Sequence, residues 1–65
     1  MYEKSYFSVE QGDEICIQTF DSFFEAKLFA EQCDIAKEIF EFKGKFDFAT
    51  GEMIDSECVG LVWRR

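Results

Sequence analysis

The most abundant groups that could carry chemistry in this sequence are fourteen carboxylates, with no histidine beside them. Without histidine there is no Ser/His/Asp set, and the chain has neither a glycine-rich phosphate loop nor a metal-ligand cluster. Paired carboxylates can hydrolyse glycosides, but a domain of 65 residues offers little room for a cleft. The acidic loop residues Asp13-Glu14, Glu52 and Asp55 do not match an EF-hand pattern. We therefore expect no enzyme activity, no metal and no cofactor.

The cysteines favour a structural role. Cys16, Cys33 and Cys58 are odd in number, widely spaced and without a C-x-x-C pair. Each lies in or beside an apolar segment, so we predict buried, reduced thiols. A nucleophilic cysteine would need a base or a positive neighbour, and histidine is absent.

The charge balance points to a protein partner. Seven basic against fourteen acidic residues give a net charge of −7, yet 48% of the residues are apolar and nine are Phe. Residues 1–65 should therefore fold as a single domain with an acidic surface. Such a surface repels nucleic acid and membranes and attracts basic proteins. No segment resembles a signal peptide or a membrane span, which favours a cytoplasmic location.

The first half of the sequence predicts a hairpin and a helix. Residues 4–10 and 14–20 alternate as strands around the loop 11–13, with Val9 opposite Ile15 and Phe7 opposite Ile17.

Ser22 and Glu25 have capping-box spacing for a helix that runs to about Cys33 or Asp34. Its core stripe comprises Phe23, Ala26, Phe29, Ala30 and Cys33. Phe24 and Leu28 lie on another side, and either widen the buried face or form an exposed patch for a partner.

The second half predicts three strands. Residues 35–38 could be helix or loop, whereas 39–42 indicates a strand, 43–45 a turn and 46–48 its partner. After a turn at 50–52, a last strand at 57–63 would place Val59, Leu61 and Trp63 on one face, and Arg64 and Arg65 would be solvated. The expected fold is α+β, a small antiparallel sheet with one helix on one face, in the order ββαβββ.

These registers align like charges. Glu10 would stand opposite Glu14 with Asp13 in the loop, and Glu41 opposite Asp47, although like charges across a sheet are destabilising. Glu52, Asp55 and Glu57 could extend the resulting stripe if residues 50–57 lie on the same edge. These residues are either ordinary solvated side chains or a stripe that imitates phosphates and docks in a nucleic-acid-binding groove. Phe24, Leu28 or Tyr6 would then supply an apolar anchor.

Residues 15–31, Ile-Cys-Ile-Gln-Thr-Phe-Asp-Ser-Phe-Phe-Glu-Ala-Lys-Leu-Phe-Ala-Glu, resemble the strand–turn–helix core of small phage-encoded inhibitors. These include anti-CRISPR proteins and a phage inhibitor of bacterial RNA polymerase. The resemblance covers about a quarter of the chain, and no site residue is carried over from it. It implies an acidic single-domain protein of the infected bacterium's cytosol that acts by binding a host protein.

Three hypotheses follow. The first is an inhibitor that occludes the nucleic-acid site of a basic host complex, with a CRISPR effector favoured over RNA polymerase. The second is a self-associating structural or regulatory domain, whose strand edge and Phe24/Leu28 patch form a homodimer while the acidity maintains solubility. The third is a housekeeping domain, which nothing in the sequence excludes.

Overall fold

The computed structural model describes residues 2–13 and 15–65, and within them the chain forms four strands and one helix. The elements are β1 Tyr2–Glu10, β2 Cys16–Phe20, α1 Phe23–Gln32, β3 Glu38–Asp47 and β4 Glu52–Arg64. The strands pair antiparallel in one sheet with the order β2-β1-β3-β4. The α+β class is confirmed, whereas the predicted order ββαβββ is wrong because the described chain has the order ββαββ.

The prediction contained one strand too many because it placed a turn at residues 43–45. Lys43, Gly44 and Lys45 lie within β3, which runs through them without a break and pairs with β1 and β4 on both sides. The chain reverses at 48–51, which overlaps the turn predicted at 50–52; Gly51 has φ +73° there, and its N–H donates to the Asp47 carbonyl at 2.8 Å. Glycine at position 44 therefore allows the β4 backbone to approach β3 closely and does not form a turn.

The β1–β2 pairing is confirmed, but its register is wrong. Phe7 lies opposite Phe20, and Glu10 lies opposite Cys16, with a bulge between the two positions. Ile15 precedes β2 and is exposed, so it is not a core residue. This register packs Phe20 against Phe29 of α1, with their ring centroids 5.3 Å apart. Burial of a second large aromatic ring explains why this register is favoured over the predicted register.

Helix α1 begins where the sequence predicts. Ser22 is the N-cap, and its Oγ accepts a hydrogen bond from the Glu25 backbone N–H at 3.2 Å. The Ser22 hydroxyl also lies 3.3 Å from Glu25 Oε1, to which it donates. The helix ends at Gln32 with Cys33 as C-cap, and residues 35–37 form a connection that is not helical.

Removal of the N-cap should weaken the fold measurably. We expect Ser22→Ala to lower the free energy of unfolding by about 1 kcal/mol, because the Glu25 N–H loses its acceptor. Urea denaturation measures the change. Ser22→Asn keeps a capping oxygen and should remain close to wild type; equal losses in both variants would contradict a capping role.

The core lies between α1 and one end of the sheet. Two small helix residues, Ala26 and Ala30, are fully buried and let the helix approach Val9 and Ile39 closely. Around them pack the partly buried residues Phe7, Ile17, Phe20, Phe23, Phe29, Cys33 and Trp63. The predicted helix stripe is confirmed.

No helix of the described chain is long and apolar enough to cross a membrane.

Three register shifts in the β3–β4 pairing change which way the β4 side chains point. Trp63 pairs with Ile39 and packs on the helix side, whereas Leu61 pairs with Phe40 on the other side. A bulge inserts a residue and inverts the alternation beyond it. The prediction that Val59, Leu61 and Trp63 share a face is therefore wrong.

Candidate protein-interaction surface

One face of the sheet carries α1, and no described element packs on the other, which we call the open face. Side chains alternate between faces along a strand, so the even-numbered residues of β1 and β3 belong to the open face, opposite Val9 and Ile39. The helix has ten residues and spans about 15 Å, whereas the molecule is 36 Å long. The sheet therefore extends well beyond the helix.

Aromatic rings cover the open face along β1 and β3. Tyr6 stacks on Phe42, with centroids 5.2 Å apart and planes 9° from parallel. Tyr2 lies 5.7 Å from Phe46 in the same face, and Phe40 lies opposite Ser8. An apolar face of this kind, with nothing from the described chain over it, is typical of an interaction surface.

The tip of the β3–β4 hairpin combines an aromatic anchor with two carboxylates. Phe48 is 70% exposed, with its ring centroid 4.9 Å from Tyr2 and 5.5 Å from Phe46. Asp47 and Glu52 are cross-strand partners at the base of this turn, where the odd position of Asp47 places the pair toward the helix side of the sheet, and Asp47 Oδ1 also accepts the Ala49 N–H at 2.9 Å. We call Phe48, Asp47 and Glu52 the hairpin tip.

The predicted acidic residues do not form one stripe. Only Asp47 and Glu52 come together, and Asp47 does not face Glu41, whose neighbours across the sheet are Phe7 and Gly60. Glu10 is buried near the opposite end of the sheet, and Glu14, its predicted partner, lies outside the described residues. The tertiary structure therefore separates the carboxylates that the predicted registers aligned.

Two predicted site residues have a conformational reason to be acidic. Asp13 has φ +52° in the β1–β2 connection, and Asp55 has φ +55° in the β4 bulge opposite Gly44. Asp and Asn tolerate this left-handed conformation better than most residues. Local backbone geometry thus accounts for the residue type at both positions without a partner.

The helix side of the extended sheet carries charges of both signs. Lys43 Nζ lies 3.5 Å from Glu3 Oε2 and faces Glu57 across the strands, while Lys45 faces Glu3. These residues line a polar groove of about 360 Å³ together with Gly44 and Asp55. Lys43 is thus ion-paired within the fold, and Lys45 lies on the strand opposite Glu3.

Exposed apolar side chains also occur on the helix. Phe24 and Leu28 are exposed, so the alternative in which they widen the buried stripe is wrong. They lie on the helix side of the molecule, away from the open face. The open face contains more aromatic rings than this helix patch.

The cysteines are less buried than predicted. Cys16 and Cys58 are exposed and Cys33 is half-buried, and all three are free thiols. Cys16 and Cys58 lie opposite Glu10 and Phe42 on the open face, which explains their exposure. Within residues 2–13 and 15–65 no three Cys, Asp or Glu side chains are grouped to hold a metal ion.

The sequence contained a signal for the open face. Tyr2 and Tyr6, and Phe40, Phe42, Phe46 and Phe48, all occupy even positions, which is the pattern of one face of two long strands. The false turn at 43–45 concealed it by splitting β3.

Comparisons of this chain with protein-family models, with curated proteins and with solved structures found no match.

Proposed function

We propose that this protein is a non-catalytic binding domain that docks its open face and hairpin tip on a basic surface of another protein. The observation that supports this function is an uncovered aromatic sheet face on a domain with a net charge of −7. Aromatic rings supply the buried contact, and the excess of carboxylates favours a partner whose surface is positively charged.

Nucleic acid is a poor ligand for this face. Aromatic sheet faces do bind single-stranded nucleic acid, but they need cations to neutralise its phosphates. The two cations that the pairing places on the open face are engaged within the fold: Lys4 Nζ lies 3.1 Å from Asp21, and Arg64 lies 3.3 Å from Glu38. A basic protein fits the combination of rings and carboxylates better.

The class of partner that we propose is a nucleic-acid-handling complex of the host cytosol. Such complexes present Lys and Arg in grooves that bind phosphates, and an acidic domain seated there blocks nucleic acid. The resemblance to phage inhibitors favours a CRISPR effector first and RNA polymerase second. Of the predicted acidic stripe, Asp47 and Glu52 remain as a pair that can act together.

Charge reversal at the hairpin tip tests this function. We expect the double variant Asp47→Lys/Glu52→Lys to bind its partner at least about tenfold more weakly, because two carboxylates beside the Phe48 anchor become repulsive. The matched control, Glu31→Lys/Asp34→Lys, changes the net charge equally at exposed positions in and just beyond α1, outside the hairpin tip. It should bind within about twofold of wild type, apart from long-range effects that salt screens.

The assay has two steps. The tagged protein captures its partner from bacterial lysate at low salt and releases it at high salt, and mass spectrometry identifies the partner. The purified pair is then measured for affinity, and for displacement of labelled nucleic acid from the partner. Equal weakening in the tip and control variants, or a partner that keeps its nucleic acid, would contradict the proposal.

Self-association is the second candidate, favoured by the same uncovered aromatic face. The contact would be face to face, because the edge strand β4 is broken by bulges and the other edge strand, β2, has only five residues. Sedimentation at micromolar concentration tests it. A monomer argues against this function, whereas a dimer is compatible with both, since an inhibitor can also dimerise.

A further inference from the structure

A groove of about 320 Å³ crosses the open face, and its lining residues are Glu10, Phe40, Phe42 and Cys58. They come from three adjacent strands, with β3 in the middle contributing both rings. The groove is of a size that accepts one side chain or a small molecule. Its walls are apolar, and it contains one carboxylate.

Glu10 is an unusual group for such a place. It is only 8% exposed, and its Oε2 accepts a hydrogen bond from the Ser8 hydroxyl at 3.0 Å. Glu38 lies directly opposite it and already pairs with Arg64 at 3.3 Å. Among the described residues, no Lys or Arg nitrogen lies within ion-pair distance of Glu10. The groove therefore holds a nearly buried carboxylate that no described cation neutralises.

We propose that this groove binds one guanidinium group, the side chain of an arginine on the partner. This inference rests on the proposed function and specifies its central contact. A guanidinium is planar and weakly hydrated, stacks on aromatic rings and bonds a carboxylate through two N–H groups. Phe40, Phe42 and Glu10 supply the rings and the carboxylate in one place.

The protein already places its own cations on its rings. Lys4 Nζ lies 5.2 Å from the centroid of Phe46 on this same open face, and the Arg65 guanidinium carbon lies 5.6 Å from the Trp63 ring. Cation–ring contacts of this kind are favourable when partly removed from water. The Phe40/Phe42 groove has the equivalent rings and a carboxylate, but no described cation over it.

The test uses a minimal probe. Acetyl-arginine amide is titrated into the ¹⁵N- and ¹³C-labelled protein and followed by NMR, with acetyl-citrulline amide as the uncharged control of equal shape. We expect shifts confined to residues around Glu10, Phe40, Phe42 and Cys58, and no saturable shift with citrulline. Acetyl-lysine amide, which carries an ammonium, should bind less tightly than the arginine probe.

Two variants isolate the contacts. Glu10→Gln keeps the shape and the bond from Ser8 but removes the charge, and should weaken binding of the arginine probe about tenfold. Phe40→Leu keeps an apolar wall but removes a ring, and should weaken it about threefold or more. A thermal melt of each variant confirms that it is folded.

Equal shifts with arginine and citrulline, or undiminished binding by Glu10→Gln, would overturn the inference. The outcome is separable from that of the proposed function. If the arginine probe fails while the hairpin-tip variant still loses its partner, the groove assignment alone is wrong. If the arginine probe binds as expected but the protein displaces no nucleic acid from a basic partner, the groove assignment holds and the proposed function is wrong.

Discussion

Replacement of Gly44 by valine is expected to destabilise the fold by about 3 kcal/mol or more, the largest single effect that we predict for this chain. Gly44 is buried in the middle of β3, where β4 folds over it at the Asp55–Ser56 bulge. A Cβ at this position would lie 3.0 Å from the Ile54 carbonyl oxygen and 3.0 Å from Ser56 Cα. Both are backbone atoms, which cannot rotate away as a side chain does.

Two opposing effects decide whether the smaller substitution Gly44→Ala raises or lowers the free energy of unfolding. A methyl group restricts the unfolded chain and so favours folding by about 0.5–1 kcal/mol. Overpacking against the β4 backbone costs about 1–3 kcal/mol. The second term is larger, so we expect Gly44→Ala to be destabilising by about 1–2 kcal/mol.

Urea denaturation of both variants measures these changes, and Gly44→Ala keeps the prediction testable if the valine variant does not fold. Lys45→Val is the matched control, because Lys45 is exposed on the same strand and should tolerate valine within about 0.5 kcal/mol. A displaced bulge should also break the 2.9 Å hydrogen bond between the Tyr6 and Ser56 hydroxyls. Wild-type stability in Gly44→Ala would show that β4 does not press on β3 here.

Replacement of Arg65 by alanine is expected to lower the free energy of unfolding by about 2 kcal/mol, the second largest effect. The Arg65 guanidinium donates to the Cys33 carbonyl at 2.9 Å and to the Ala36 carbonyl at 2.8 Å, and also to the Ala30 carbonyl. These carbonyls lie at the end of α1 and just beyond it, where i+4 helical donors are missing; the Ala30 and Cys33 carbonyls also accept the N–H groups of Cys33 and Ala36. The last turn of α1 has no basic residue of its own.

Arg65 thus supplies the positive charge that stabilises a helix C-terminus, although it is distant in sequence. Arg65 is exposed, as the sequence predicted, but its guanidinium also bonds three backbone carbonyls, which the sequence did not predict. For a domain of this size, 2 kcal/mol is a large part of the total stability and corresponds to a fall in Tm of about 8–16 °C.

The neighbouring arginine is the control. Arg64 has a side chain that is 67% exposed and makes one ion pair with Glu38, so Arg64→Ala should cost less than about 1 kcal/mol. Arg65→Lys should recover only part of the loss, because an ammonium cannot reach three carbonyls at once. Equal losses at positions 64 and 65, measured by thermal and urea unfolding, would refute the capping role of Arg65.

The predictions that depended on neighbouring residues were the accurate ones. The helix cap at Ser22, the apolar stripe of α1 and the strand character of 39–42 were each confirmed. Capping and side-chain periodicity act over three to five residues, so their signals are contained in a short segment.

The errors arose where the tertiary structure replaced a local preference. Lys43-Gly44-Lys45 has the composition of a turn, but the close approach of β4 requires glycine in the middle of a strand. The bulges in β4 invert side-chain alternation, which moved Leu61 to the open face and left Trp63 in the core. Bulges depend on packing between strands, and a single sequence does not reveal them.

The candidate site shows the same division. Individual residues such as Glu10, Asp47 and Glu52 were identifiable as charged groups facing across a sheet, but their partners were not. Glu10 came to lie in an aromatic groove because β3 pairs with β1 and places Phe40 and Phe42 beside it. The opposed pair at the hairpin tip is Asp47 with Glu52, because the turn lies at 48–51.

By itself, the sequence determined the acidic charge, the capped helix, the α+β class and the presence of aromatic strands. These follow from composition and from periodicities that a short segment contains. Only the tertiary structure decided which aromatic residues remain uncovered, which carboxylates meet and which cation caps the helix. Those outcomes depend on strand register, and one inserted residue in a strand changes the face of every side chain beyond it.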